Sequence, residues 1–259
     1  MTEVTRYLPG TPSWIDLGTP DPTAAAQFYS KLFGWTVEEG PPEAGGYRMC
    51  MLNGRPVAGL GPQMNPEMPP WWTTYVSVDD ADESAANIVA AGGQLLVEPM
   101  DVLDVGRMVV ALDRSGAMFS IWEPRSHIGS GLVNEPGTLC WNELMTREPT
   151  GAIEFYGSVF GWEAKTEEME HGSYTEFLLN DRSVAGMMPM QGDMWPAELP
   201  NHWMVYFAVA NTDTAAALVT ELGGTVSVPP TDIPPGRFAV VGDPQGAMFS
   251  IITMTRSAD

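Results

Sequence analysis

The sequence is poor in basic residues and in cysteine, and each shortage excludes a class of protein. Its 259 residues include 12 Lys and Arg against 33 Asp and Glu, which gives a net charge of −21. A chain this acidic repels phosphate backbones, so nucleic acid is not expected as a partner. Its only cysteines, Cys50 and Cys140, have no CxxC spacing. This excludes a disulfide framework and a thiolate zinc site, and it favours the reducing cytoplasm.

Long apolar segments are also absent. No stretch approaches the roughly 20 apolar residues that span a bilayer, and residues 1–9 lack the apolar centre of a signal peptide. We therefore expect no membrane partner. Hydrophobic residues still make up 44% of the chain, enough for a sizeable core, and the length allows two small domains.

The sequence contains an internal repeat. Residues 10–35 return as residues 137–162, an offset of 127 that aligns Trp14 with Trp141. After a longer loop in the second copy the offset becomes 131, and the pentapeptide GAMFS occurs in both copies. The repeat predicts two modules joined by a short connection that contains GSG. The predicted boundaries are 8–124 for module 1, 125–134 for the linker and 135–255 for module 2.

Each module shows the same order of predicted elements. Asp21 and Pro22 predict the start of a helix and Gly34 its end. Asn53-Gly54, between two apolar runs, predicts a tight hairpin. A further strand, a helix ending at a Gly-Gly pair and three short strands complete the module. The order is therefore βαβββ–βαβββ in each module, which predicts an α+β fold.

The motif FYxxLFGW (28–35), with SVDDADE (77–83) and DRSGAMFSIWEP (113–124), resembles the vicinal oxygen chelate superfamily. This superfamily includes glyoxalase I, extradiol dioxygenases and bleomycin-resistance proteins. Residues 126–146 are similar to a two-module actinobacterial group labelled "hydroxylase". The resemblance implies two bowl-shaped, mostly antiparallel sheets flanked by helices and packed about a pseudo-two-fold axis.

Metal-dependent members of this superfamily bind a divalent ion through His, Gln or Glu at four positions of a module. When those positions are carried over, none holds a His or a carboxylate. They fall on Trp14, Ala58, Thr73 and Ser120, and on Trp141, Ala185, Met204 and Ser250. We therefore expect no metal and no other cofactor. A relocated metal site at Glu143, Glu176 and His202 is a remaining alternative, although a strand-end His beside Trp is more often a satisfied polar residue.

Methionine and tryptophan are abundant, with 17 and 9 residues. Met adapts to irregular partners and Trp stacks on flat ones, so these residues favour an apolar ligand. Core packing explains the strand residues about equally well, whereas the Met- and Trp-rich loops (64–72 and 188–203) favour a lid or an interface. The candidate ligand-binding residues are Trp14, Thr73, Tyr75, Ser120, Trp122, Trp141, Glu143, Met204, Tyr206 and Ser250.

These observations predict metal-free binding of a flat, apolar small molecule, such as a polyketide-type natural product or antibiotic. The purpose would be sequestration, resistance or assistance to a biosynthetic oxidation. One alternative is an enzyme, a hydroxylase, oxygenase or isomerase, with Asp16, Glu143 and His202 as catalytic candidates. Another is a protein-interaction role for the loops. Two single modules pair in relatives, so we expect a monomer, or a homodimer if the chain associates further.

Overall fold

A computed structural model describes residues 2–169, 172–192 and 195–255. The described helices are α1 (Pro22–Phe33), α2 (Ala81–Ala90), α3 (Pro149–Phe160) and α4 (Thr212–Glu221). The strands up to residue 124 are β1 (Thr2–Glu3), β2 (Pro12–Thr19), β3 (Thr36–Glu39), β4 (Arg48–Leu52), β5 (Arg55–Pro62), β6 (Trp71–Ser77), β7 (Gln94–Val102), β8 (Gly106–Leu112) and β9 (Met118–Pro124). The later strands are β10 (Leu132–Val133), β11 (Leu139–Thr146), β12 (Glu163–Met169), β13 (Gly172–Leu179), β14 (Arg182–Pro189), β15 (His202–Ala208), β16 (Thr225–Ile233), β17 (Gly236–Gly242) and β18 (Met248–Met254).

Two eight-stranded sheets carry the fold, one in each module. Their orders are β3-β4-β5-β2-β6-β9-β8-β7 and β12-β13-β14-β11-β15-β18-β17-β16. In the first sheet β2 runs parallel to β5 and β6 parallel to β9, and the other pairings are antiparallel. The second sheet repeats this pattern. The predicted α+β class and the tandem βαβββ–βαβββ arrangement are confirmed.

Local signals in the sequence explain where α1 begins and ends. The Asp21 side chain accepts hydrogen bonds from the backbone N–H groups of Thr23 and Ala24, which α1 itself cannot satisfy. At the other end Gly34 takes a left-handed conformation, which costs a glycine little. The helix therefore occupies the segment that the sequence predicts.

The sequence did not locate the short strands β1, β3 and β10 or the exposed strand β12. Strand β3 follows α1 at the edge of its sheet, and all but one of its residues are exposed, so it has no apolar alternation to reveal it. Within the linker, β10 pairs with β1 near the N-terminus. The linker therefore forms part of the folded structure in addition to connecting the two modules.

The helices lie on one face of each sheet and carry a core that both modules share. Helix α1 meets α4 of the other module, and α2 meets α3 in the equivalent way. The ring centroids of Phe33 and Phe207 lie 4.7 Å apart across this boundary. Such reciprocal contacts are what a pseudo-two-fold axis between the modules produces.

Hydrogen bonds through buried tyrosines also cross the boundary. The Tyr29 hydroxyl donates to Asp243 Oδ2 at 3.1 Å and accepts from Trp72 Nε1 at 3.1 Å. The equivalent bonds join Trp203, Tyr156 and Asp113 at 2.9 and 3.0 Å. The tyrosine–aspartate bonds tie one module to the other inside the core, where an unsatisfied hydroxyl or carboxyl would be costly, and the tryptophan–tyrosine bonds lie within a module. We call these two chains the cross-module clamps.

The opposite face of each sheet is the concave one. Bowl 1 is this face of the first sheet, centred on Trp14, Tyr75 and Trp122, and bowl 2 is its counterpart, centred on Met204 and Tyr206. Among the described residues, no helix has the length and apolar character needed to cross a membrane.

Candidate functional site

A half-buried carboxyl forms the floor of bowl 1. Asp16 Oδ2 accepts hydrogen bonds from the hydroxyls of Tyr75 at 2.8 Å and Tyr47 at 3.3 Å. Tyr47 in turn accepts a hydrogen bond from Trp14 Nε1 at 3.0 Å. Strand β2 supplies Trp14 and Asp16, β6 supplies Tyr75, and Tyr47 lies directly before β4. Alternation along β2 directs Trp14 and Asp16 to the same face.

Bowl 2 repeats this arrangement with a glutamate. Glu143 is 4% exposed and accepts from the Tyr206 hydroxyl at 2.6 Å. Tyr174 also bonds to Glu143, and it accepts from Trp141 Nε1 at 3.0 Å. The repeat has therefore preserved a connected set of four side chains, Trp–Tyr–carboxyl–Tyr, in both modules. We call this set the carboxyl floor.

Each floor depends on a glycine in the neighbouring strand. A Cβ atom on Gly59 would lie 1.7 Å from the Tyr47 hydroxyl, and one on Gly186 would lie 2.0 Å from the Tyr174 hydroxyl. No other residue leaves room for these hydroxyls to reach the carboxyl. This close approach explains why the Val-Ala-Gly sequence occurs in both copies of the repeat.

Burial changes the proton affinity of both carboxyls. It raises the pKa of Asp16 to about 6, and hydrogen bonds from Tyr75, Tyr47 and Thr73 oppose the rise. Burial likewise raises the pKa of Glu143 against the bonds from Tyr206 and Tyr174. Hydroxyl groups, which carry no compensating charge, supply these bonds. A hydrogen-bond donor on a ligand, or a transferred proton, can therefore stabilise the carboxyl of each floor.

The remaining predicted ligand-binding residues lie on the same faces. Ser120 and Ser250 are buried beside Tyr75 and Tyr206, at paired positions of the adjacent strands. Thr73 pairs with Asp16 and Met204 with Glu143. Trp122 packs with Trp14 and Tyr75. The structure thus brings all ten candidates together, as one group in each bowl, and their role in binding stays a prediction.

Sequence reasoning missed Tyr47 and Tyr174 as members of the site. Both were visible as an aligned pair of the repeat, yet neither lies on the strands that usually supply superfamily ligands. The available signal was the repeat itself, because both copies keep a tyrosine at this aligned position and a carboxyl two residues after the aligned tryptophan.

His202 takes a different position from the one a metal ligand needs. Its Nδ1 lies 2.8 Å from the carbonyl oxygen of Pro200, and its ring meets Trp71 of the other module edge-on at 5.4 Å. Among the described residues, no three His, Cys, Asp or Glu side chains are grouped to hold a metal ion. The relocated site with Glu143 and Glu176 is therefore not assembled.

The two Met- and Trp-rich loops differ in their packing. Met64 and Met68 in the first loop are exposed. In the second loop, Met190, Trp195 and Leu199 join the apolar group of bowl 2. Met194 of this loop lies outside the described residues. The second loop therefore forms one wall of bowl 2.

Surface depressions lie outside both bowls. One of about 430 Å³ is lined by residues of α1 with Val37 and Arg48, and one of about 210 Å³ lies between α1 and Pro244. Neither is lined by a residue of a carboxyl floor.

The family follows from the arrangement of the strands together with the sequence. The model of the Glyoxalase/Bleomycin resistance protein/Dioxygenase superfamily matches residues 11–121 and 138–251, which is most of the chain. The protein belongs to this superfamily. The resemblance drawn from the FYxxLFGW motif is thereby confirmed.

Relatives align with nearly the whole chain. A Mycobacterium tuberculosis protein named "Putative glyoxylase CFP32" is 44% identical, with 97% of this chain and 98% of the relative covered. The anthracycline biosynthesis protein DnrV of Streptomyces peucetius is 36% identical over 97% of this chain and 96% of its own. The superfamily thus includes relatives of the same two-module length that are associated with antibiotic biosynthesis.

Solved structures share the fold at low identity. The Mn(II)-bound glyoxalase of Novosphingobium aromaticivorans superposes with a TM-score of 0.66 at 14% identity, covering 95% of this chain and 82% of its own. The dioxygenase LapB of Pseudomonas sp. KL28 gives 0.64 at 13% identity, covering 98% and 93%. At this identity the likeness establishes the architecture alone.

The side chains at the superfamily's usual metal positions do not fit a divalent ion. Bowl 1 offers an indole, a methyl group and two neutral hydroxyls there, and bowl 2 offers an indole, a methyl group, a thioether and one hydroxyl. Hard divalent cations select carboxylates and imidazoles, and none is present at these positions. The indoles of Trp14 and Trp141 are instead hydrogen-bonded to the floor tyrosines.

Proposed function

We propose that the protein binds a flat, largely apolar small molecule of the polyketide type, without a metal ion, in sequestration, resistance or assistance to a biosynthetic oxidation. The observation that carries this proposal is the carboxyl floor, which combines a tryptophan, two tyrosines and a carboxyl at the base of an apolar bowl. Apolar walls with a few fixed polar groups are typical of small-molecule sites. The relative named for anthracycline biosynthesis supports this ligand class.

The floor also defines which polar groups the ligand should carry. An ionised carboxyl only accepts hydrogen bonds, whereas a tyrosine hydroxyl both donates and accepts. A planar aromatic molecule with phenol or amine donors complements both. A highly anionic ligand would be repelled by the floor and by the net charge of −21.

Titration with quinizarin, a planar dihydroxy aromatic dye that is neutral at pH 7, tests the proposal. We expect saturable quenching of tryptophan fluorescence with an unchanged Kd after exhaustive treatment with EDTA. A decalindiol, which carries two hydroxyls on a non-planar skeleton, is the matched control and should bind at least tenfold more weakly. Loss of quinizarin binding after chelation, or equal binding of both compounds, would contradict the proposal.

An enzyme is the second candidate, and the raised pKa of Glu143 favours it. A buried carboxyl beside two hydroxyls is poised to take a proton from a bound substrate. Glu143→Gln separates the two functions. In an enzyme, turnover falls by at least a hundredfold while ligand affinity stays within threefold. In a binding protein, the wild-type chain leaves the ligand chemically unchanged, as mass spectrometry of the recovered ligand would show.

A further inference from the structure

The linker places an aromatic ring inside bowl 1. The imidazole of His127 meets the Trp14 ring nearly perpendicularly, with centroids 4.5 Å apart. It also meets Trp122 at 5.7 Å. These two tryptophans belong to the aromatic cluster at the centre of bowl 1, so a planar ring of the chain itself lies against the surface that a ligand ring would contact.

Hydrogen bonds fix the linker in this position. The backbone N–H groups of Arg125 and His127 both donate to the carbonyl of Val105 at 3.1 Å. Trp122 Nε1 donates to the carbonyl of His127 at 2.8 Å, and Ser130 N donates to the carbonyl of Ser13 at 2.8 Å. Backbone hydrogen bonds of residues 125–130 therefore fix the position of the His127 ring against bowl 1.

The path of the linker also depends on Gly129. This residue has a φ of +106°, and a Cβ atom there would lie 2.3 Å from the carbonyl oxygen of Ser13. Only glycine combines that backbone conformation with so close an approach to β2. The linker sequence is thus fitted to the mouth of bowl 1.

Bowl 2 differs at the corresponding wall. Trp14 is 3% exposed, whereas Trp141, its partner in the repeat, is only partly buried. Within residues 2–169, 172–192 and 195–255, no aromatic ring lies against Trp141, and Phe238 and Trp195 nearby are also partly exposed. The tryptophan of the carboxyl floor is thus covered in bowl 1 and partly exposed in bowl 2.

We propose that bowl 2 is the single open ligand site of the chain, and that His127 fills bowl 1 as an internal ligand. This assignment rests on the proposed function and specifies its site. The ligand class is a planar aromatic or heteroaromatic ring with a hydrogen-bond donor, because the ring that fills bowl 1 is itself planar and heteroaromatic. The expected stoichiometry is one ligand per chain.

Removing the internal ring tests the assignment. In His127→Gly, free imidazole should re-enter bowl 1 and raise the melting temperature of the variant by several degrees at millimolar concentration, with no effect on the wild type. His127→Phe keeps the bowl filled and is the matched control, which imidazole should not stabilise. Equal responses of all three proteins to imidazole would overturn the internal-ligand assignment.

Calorimetric titration with quinizarin then counts the open sites. We expect one per chain for the wild type and for His127→Phe, and two for His127→Gly. If the glycine variant does not fold, His127→Ala replaces it in both experiments. Two sites in the wild type would show that bowl 1 is open and the assignment wrong. If the wild type binds no quinizarin, the proposed function fails together with bowl 2 as a site, while the imidazole result still decides whether His127 fills bowl 1.

Discussion

The two bowls keep the same floor under different mouths. In both, a tryptophan, two tyrosines and a carboxyl form one hydrogen-bonded set above a glycine. In bowl 1 the linker lies against the aromatic cluster, and in bowl 2 the loop that contains Met190 and Trp195 packs against the corresponding face. The comparison shows which part of a duplicated site is constrained by its own chemistry. A buried polar network is destabilised when one of its hydrogen-bonding groups is lost, whereas residues at the solvent-facing rim of a bowl can change at little cost.

A second difference lies beside the floor. Glu176 pairs with Gly186, which also pairs with Glu143, so the three residues form one row across bowl 2. The corresponding row of bowl 1 contains Met49, which packs with Trp14. Bowl 2 therefore carries an additional, partly exposed carboxyl that favours a positively charged group on the ligand.

The largest effect is expected from neutralising the floor of bowl 1. Burial raises the pKa of Asp16 to about 6 in the folded protein, above the ordinary value of 3.8. The native state therefore holds the proton more tightly between pH 4 and 6, and stability falls as pH rises through this range. Asp16→Asn removes the charge and keeps an acceptor for the tyrosines. At pH 7.5 it should raise the free energy of unfolding by up to about 3 kcal/mol, and at pH 4 by little.

Urea denaturation at the two pH values measures this effect. The exposed Asp79→Asn is the control and should stay within about 0.5 kcal/mol of the wild type at both. Glu143→Gln should shift stability in the same direction if the floors are equivalent. A destabilised Asp16→Asn at pH 7.5 would show that the charge on the floor is compensated in the native protein.

The next prediction concerns how the stability contributed by His127 in bowl 1 depends on pH. Burial lowers the pKa of His127 to about 4 from an ordinary 6.5. The unfolded chain therefore binds the proton more tightly, and the stabilisation from His127 is lost as pH falls from about 6.5 to about 4. His127→Phe lacks this loss, so the stability difference between wild type and variant should change by about 2 kcal/mol over that range. The opposite trend from Asp16 is common to both proteins and cancels in the difference, and a constant difference would contradict the prediction.

Ligand affinity should respond differently to the replacement of Trp141 and of Trp14. Trp141→Leu removes the accessible ring of bowl 2 and should weaken quinizarin binding about tenfold, equivalent to about 1.4 kcal/mol. Trp14→Leu alters only the closed bowl, so it should lower the melting temperature while affinity stays within twofold. Equal losses of affinity in the two variants would indicate that both bowls bind.

The smallest effect concerns charge at the mouth of bowl 2. Glu176→Gln should weaken the binding of proflavine, a planar cation, about threefold, as expected for a partly screened ion pair. Quinizarin, which is neutral, should bind unchanged. Met49→Glu introduces the same carboxyl beside bowl 1 and should leave the affinity for both dyes as it is. Salt should reduce only the proflavine effect.

The sequence predicted those parts of the fold whose signals are local. Asp21, Gly34 and the Asn53-Gly54 turn each impose a conformation on their own segment, and the structure has the expected helix and hairpin there. Strand β3 escaped prediction because its exposed side chains alternate with no buried face.

The site was only partly predictable for a related reason. Trp14 and Asp16 share a strand face, so their proximity follows from period-two alternation. His127 was not among the candidate residues, although its ring packs against Trp14 and Trp122. Trp14 is distant from His127 in the sequence. No pattern within the linker could therefore predict that the linker packs against the first strand.

The cross-module clamps have an evolutionary consequence. Since Tyr29 of one repeat completes the buried network of Asp243 in the other, and Tyr156 does the same for Asp113, neither half of the gene encodes a self-sufficient core. Selection for a foldable product therefore retains both copies whether or not both bind anything. One bowl can therefore lose its ligand while both scaffolds are retained. In bowl 1, a histidine of the chain itself can then take the place of a diffusible ligand.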